Sequence, residues 1–149
     1  MSKAFIFAPP KENEVWVHTV GALGATNTAI PVYSTTVSNV GTAIAYATSA
    51  ANGASFTINE AGTYAMSMTG IRTAGALTLV ISKNGSDLTT TTGLASDQSL
   101  GPVTLGTASY GTVTATRYLA VGDVIRPHMS AAPNAANGLV SFCITKTNR

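Results

Sequence analysis

Between Ser55 and Thr69 the chain alternates with a period of two, and that alternation limits the fold more than any other feature. Phe56 and Ile58 share one side, and Asn59-Glu60-Ala61-Gly62 has turn composition. Tyr64, Met66 and Met68 then take one face while Thr63, Ser67 and Thr69 take the other. Successive side chains point to opposite sides only in a strand, so this is a strand with one dry and one wet face. The pattern recurs. Leu77, Leu79 and Ile81 repeat it, Val113 and Ala115 alternate with Thr114 and Thr116, and residues 139–145 and 15–20 carry the β-branched and aromatic content of strands. Ile30-Pro31-Val32-Tyr33 and residues 43–47 read as short strands separated by Ser38-Asn39-Val40-Gly41. Asn84-Gly85 is the strongest short hairpin signal and makes residues 88–92 the expected returning strand. Gly122-Asp123 joins Tyr118-Leu119 to Val124-Ile125 as a tight turn, because Gly tolerates positive φ and Asp bonds its own backbone. No segment carries helical periodicity. The expectation is an all-β, jelly-roll sandwich of about eight to ten antiparallel strands.

What would cover such a sandwich is the next question, and here composition matters. Charged residues make up 9% of the 149, against about 25% in ordinary soluble domains. Ser, Thr, Ala and Gly fill the gap, and mean hydropathy is +0.26. No apolar run approaches the roughly 18 residues of a membrane span, so no membrane partner is expected. A surface this poor in charge is explained by other subunits covering it. The net charge is only +2, from scattered lysines and arginines, which argues against a nucleic-acid footprint. Cys143 is the single cysteine and cannot form an intrachain disulfide; beside Phe142 it reads as a small buried hydrophobe.

At the other end, residues 1–28 read as an N-terminal extended arm and linker, and residues 29–149 as the jelly-roll domain. The segment around Trp16 has two readings, a first strand of the body or part of an arm that docks on a neighbour. In the second, Phe5, Phe7 and Trp16 are the apolar anchors, and removal of residues 1–20 is expected to leave a folded trimer that no longer binds its particle. Met1 to Pro10 is too short and weakly flanked for a signal peptide, so synthesis in a host cytoplasm is the expectation.

Catalytic signatures are absent from the sequence. There is no nucleophile elbow, phosphate loop or cysteine cluster, and an enzyme is not expected. The six carboxylates lie mostly in turns or the arm, where solvated faces are the default. Asp123 has no second carboxylate beside it to make a calcium site. His18 and His128 are the only histidines, too few ligands for a metal, so neither metal nor cofactor is expected. The Tyr64-Met66-Met68 face reads as core, with Tyr64 also a candidate for an interface between subunits.

Taken in order, Phe56, Gly62-Thr63-Tyr64, Leu77-Thr78-Leu79 running into Lys83-Asn84-Gly85, Tyr118-Leu119, Gly122-Asp123-Val124-Ile125 and Val140-Ser141-Phe142 resemble the landmarks of the tumour necrosis factor and complement globular heads. The resemblance covers roughly residues 50 to 145 and extends to phage structural proteins similar to those heads. It implies a ten-stranded jelly roll assembled as a homotrimer with a tight apolar three-fold interface, for which the aromatics Tyr64, Tyr118 and Phe142 are the candidate contacts. The chain has no collagen-like stalk or membrane anchor, which favours a phage particle protein over a receptor ligand. The expected role is a capsid decoration or cement protein in the virion, partnered by itself and the major capsid protein. The alternative is the head of a tail fibre or spike that binds a host receptor through residues 93–101 and 130–137, polar stretches between strands.

Overall fold

The computed structural model describes residues 12–19, 21–72, 75–92, 94–95, 98–106, 109–132 and 139–147. Ten strands are formed: β1 (Glu14–Thr19), β2 (Thr35–Val40), β3 (Ile44–Ser49), β4 (Gly53–Ile58), β5 (Gly62–Arg72), β6 (Leu77–Lys83), β7 (Val103–Leu105), β8 (Ser109–Leu119), β9 (Val124–Met129) and β10 (Val140–Lys146). They make two five-stranded antiparallel sheets, β2-β1-β10-β5-β8 and β3-β4-β9-β6-β7. From β4 onward the chain crosses repeatedly between the sheets, as in a jelly roll, so strands distant in sequence become neighbours.

The alternation seen in the sequence is what closes the sandwich. Val15 and Val17 on β1, Tyr64, Met66 and Met68 on β5, Leu119 on β8 and Phe142 and Ile144 on β10 all point inward and are buried. They meet Phe56 and Ile58 of β4, Leu77, Leu79 and Ile81 of β6 and Ile125 of β9. Phe56 sits at the centre, its ring centroid 5.1 Å from Tyr46 and 4.6 Å from Phe142. Contacts of that kind add to area burial by about 0.5–1.5 kcal/mol each. One corner is held by a side chain: Asn13 Oδ1 accepts from the backbone N–H of Thr42 (3.0 Å) and of Ala43 (3.1 Å).

Four expectations are corrected. The boundary at residue 28 does not separate an arm from a body, because β1 lies inside a sheet, paired along its length to β10 and to β2. Deleting residues 1–20 would therefore remove an interior strand; Phe5 and Phe7 lie outside the described residues. The 30–33 segment contributes a single bridge, Leu23 to Pro31, and the strand comes later, at β2. Residues 88–92 form no strand. Asn84 does adopt positive φ (53°), but it leads into a long connection, and β6 pairs with β7 and β9 instead. The expected Gly122-Asp123 turn is formed, and it carries the chain from one sheet to the other, since β8 and β9 belong to different sheets. Gly122 has φ 89° there, and Asp123 Oδ2 accepts from the Ala120 N–H at 2.9 Å.

Candidate functional site

The outer face of the β2-β1-β10-β5-β8 sheet follows directly from strand register. Because Val15, Phe142, Met66 and Leu119 point inward, their neighbours in sequence point out. Antiparallel pairing lines those neighbours up in rows. One row runs Trp16, Cys143, Ser67, Thr114; the rows on either side run Glu14, Thr145, Ala65, Thr116 and His18, Ser141, Thr69, Thr112. Thr63 pairs with Tyr118 at one end and Ile71 with Tyr110 at the other. Along β8 the two tyrosines are about 26 Å apart at the usual strand rise.

Three properties mark this face. Glu14 is the only charged side chain in these rows, and it stands at the edge of the grid. Several hydroxyls already satisfy one another: Thr69 Oγ1 and Thr112 Oγ1 are 3.0 Å apart, and Thr145 Oγ1 donates to Glu14 Oε2 at 3.4 Å. Pre-paired hydroxyls lower the cost of removing water from the face. Large aromatics flank the small residues: Trp16 is 44% exposed, Tyr118 68% and Tyr110 77%. A surface with a single charge at its edge, small hydroxyl residues at its centre and aromatic rims has the composition of an interface core.

Tyr118, expected at a three-fold contact, and Trp16, expected as an arm anchor, both lie exposed on this face. Tyr64 and Phe142 do not. Both are fully buried inside the chain, on the reverse side of the same strands, so neither can touch another subunit. Tyr64 is fixed there by its hydroxyl, which donates to the Glu60 carbonyl at 2.6 Å. Burial, with the Glu60 carboxylate nearby, pushes its pKa up to about 12. Cys143 is half-buried on the outer face and not in the core. Its thiol lies 3.7 Å from Thr145 Oγ1, and burial raises its pKa, so it stays a neutral thiol and a poor nucleophile. Ser67, Thr114 and Tyr110 were not singled out in the sequence; the parity that assigned Met66 and Met68 to the core was the signal that could have found Ser67.

The remaining candidates are engaged in structure. Both Asp123 carboxylate oxygens are occupied, Oδ2 by Ala120 and Oδ1 by Asn84 Nδ2 at 2.7 Å, while Asn84 Oδ1 accepts from the Val124 N–H. His128 is fully buried with its Nε2 2.7 Å from Ser82 Oγ. That is the spacing of a nucleophile and its base, but Ser82 is equally buried and no substrate can reach it. Among the described residues no group of three or more His, Cys, Asp or Glu side chains could hold a metal. Of the two stretches expected to be recognition loops, residues 98–100 belong to a sheet edge. The Lys83 N–H donates to Gln98 O, the Leu100 N–H donates to Ile81 O, and Leu100 joins the core. In the other, Ser130 Oγ accepts from the Thr78 N–H, and residues 133–137 lie outside the described residues.

The two-sheet jelly roll superposes on globular heads of the tumour necrosis factor and complement type. Among solved structures, the globular domain of zebrafish complement 1qA protein superposes with a TM-score of 0.58 at 14% identity, covering 92% of this chain and 98% of that one. The PRD1 vertex protein, from a phage, gives 0.55 at 18% identity over 93% and 99% of the two chains. Murine APRIL gives 0.56 at 13% identity over 88% and 98%. No protein-family model matches the chain, and no curated protein matches it in sequence.

Proposed function

We propose that this chain is a non-enzymatic structural protein of a bacteriophage virion, a homotrimeric decoration protein that cements the capsid by bridging major capsid protein subunits. The observation that carries the reading is the outer face of β1, β10, β5 and β8, whose rows hold no charged side chain but Glu14 at the edge. A monomer would leave Trp16 and its flanking rows of small residues in water. Three copies turned about a common axis would cover them, with Trp16, Tyr110 and Tyr118 as the aromatic anchors that concentrate interface energy. The likeness to the PRD1 vertex protein supports a place on a phage particle. Phe5 and Phe7 would then dock on the capsid. Three such arms on one trimer would turn weak single contacts into firm attachment through effective concentration. The likeness to a vertex protein also favours one alternative, the head of a tail fibre or spike that binds a host receptor.

Sedimentation equilibrium of the full chain tests the assembly. Three chain masses of 15.1 kDa at all accessible concentrations are expected; a monomer would overturn the trimer. Removal of residues 1–11, which spares β1, is expected to leave the trimer intact while abolishing co-sedimentation with capsids. Unchanged capsid binding would dismiss the arm, and binding to host cells instead of particles would establish the alternative.

A further inference from the structure

The outer face of the second sheet carries a buried polar pair that the assembly proposed above does not use. Val80 and Ser82 of β6 and His128 of β9 point away from the core, yet all three are fully buried. Residues 86–92 are bound across them. The Thr90 carbonyl accepts from His128 Nδ1 at 3.0 Å, and the Leu88 carbonyl accepts from the Ala29 N–H at 3.1 Å. Beside them, Gly85 lies close to both the Leu94 and the Ser82 side chains. Asp87 shapes the covering segment by accepting from the Thr89 N–H at 3.0 Å and from Thr89 Oγ1 at 2.9 Å.

The hydrogen-bond partners dictate the state of the histidine. A carbonyl only accepts, so Nδ1 carries the hydrogen. In the neutral ring Nε2 is then an acceptor, and Ser82 Oγ, at 2.7 Å, donates to it. Both nitrogens are satisfied in one tautomer and one charge state. A second proton on Nε2 would face the Ser82 hydroxyl donor to donor. Ser82 would have to turn its hydrogen to the Arg126 carbonyl, 3.4 Å away, leaving an imidazolium sealed from water.

We propose that residues 86–92 are an acid-released strap, and that protonation of His128 lifts them from the sheet and uncovers Val80 and Ser82. The charged groups around the ring do not cancel the penalty. Arg126, on the same strand, opposes a positive ring, and Asp87, on the strap, favours one. From β6 the nearest charge is Lys83, which follows Ser82, and the Ala29 side brings none. Burial is the largest influence and holds the ring's pKa below its ordinary value of 6.5. The closed form is therefore fully favoured above that value and loses ground as pH falls below it, because the opened ring takes up the proton more readily. Asp87 does not titrate in this window, since its bonds to Thr89 hold its carboxyl below the usual carboxylate range.

Amide hydrogen exchange of the full chain, expressed as protection factors between about pH 7.5 and about pH 5, tests the strap. The amides of Ala29 and residues 86–92 are expected to lose about tenfold or more of their protection as pH falls below the ordinary histidine value, a change worth one pKa unit. Amides of β1, β5 and β10 are expected to hold theirs. The midpoint of the loss is expected to coincide with the titration of His128 followed by proton NMR, so wild-type protein alone decides the case. His128→Asn, which keeps a donor for Thr90 but cannot titrate here, is expected to abolish the loss, and His18→Asn to leave it unchanged. Titration of His128 with the strap still protected would overturn the proposal, as would a loss that persists in His128→Asn.

Discussion

The two outer faces of this sandwich solve the same problem in opposite ways. On the β3-β4-β9-β6-β7 sheet the chain covers its own surface, so that Val80, Ser82 and His128 are buried although they point away from the core. On the β2-β1-β10-β5-β8 sheet nothing among the described residues does the same, and Trp16 is left 44% exposed beside Cys143 and Ser67. The difference is visible in the strands themselves. β6 reads Leu-Thr-Leu-Val-Ile-Ser-Lys and is buried at five of its seven positions, while β5 alternates strictly through Tyr64, Met66 and Met68. A strand covered on both sides gives up its alternation. One that keeps it, with small neutral residues on the outer side, leaves that side for a partner to cover.

Two serines, one on each face, put the comparison at risk. Ser82→Arg forces a long charged side chain into the fully buried position under the strap; a loss of about 3–5 kcal/mol in folding stability is expected by denaturant unfolding. Retention of wild-type stability would mean that the covered face opens freely. Ser67→Arg places the same charge on the open face, where a single chain leaves it in water. Its folding stability is expected to stay within about 0.5 kcal/mol of wild type, while trimer association falls about a hundredfold or more in sedimentation. An unchanged association constant would remove this face from the interface. Lys146→Ala breaks the ion pair to Glu60 Oε2, 3.0 Å long, whose acid partner is 47% exposed. A thermal-unfolding change of no more than about 1 kcal/mol is expected, because solvent screens such pairs. A larger effect would show that this end of the sandwich is drier than its exposure implies.

The fold was legible in the sequence wherever one side of a strand is dry. Alternation in β5, β8 and β10 pointed to a sandwich because burial forces it. It failed for β2, where all residues but Ser38 are exposed and no apolar rhythm exists to read. Asn84-Gly85 misled for a different reason. The left-handed conformation is there, but the Asn84 side chain is spent on tying Asp123 and Val124 to β6, a tertiary use that turn chemistry cannot announce. The candidate site was half legible. Parity separated Met66 and Met68 from Ser67 and Thr69, but the choice of Tyr64 and Phe142 as contacts followed aromatic character in preference to parity. Both fell on the inward side of strands whose other side is the candidate face. Trp16 was noticed for its size, while its place in a row with Cys143, Ser67 and Thr114 depends on pairings across most of the chain.

The clasp at Asn84 bears on how the molecule ages. An asparagine followed by glycine is the sequence most prone to deamidation, because the next backbone nitrogen can attack an unhindered carboxamide. Here that carboxamide is pinned, its nitrogen on Asp123 and its oxygen on the Val124 N–H, both at 2.7 Å. The folded chain thereby guards one of its three Asn-Gly bonds, and a chain that opens there loses the guard. Conversion to aspartate would then set one carboxylate against another across the clasp, so that the first lapse makes reclosure harder than it was before.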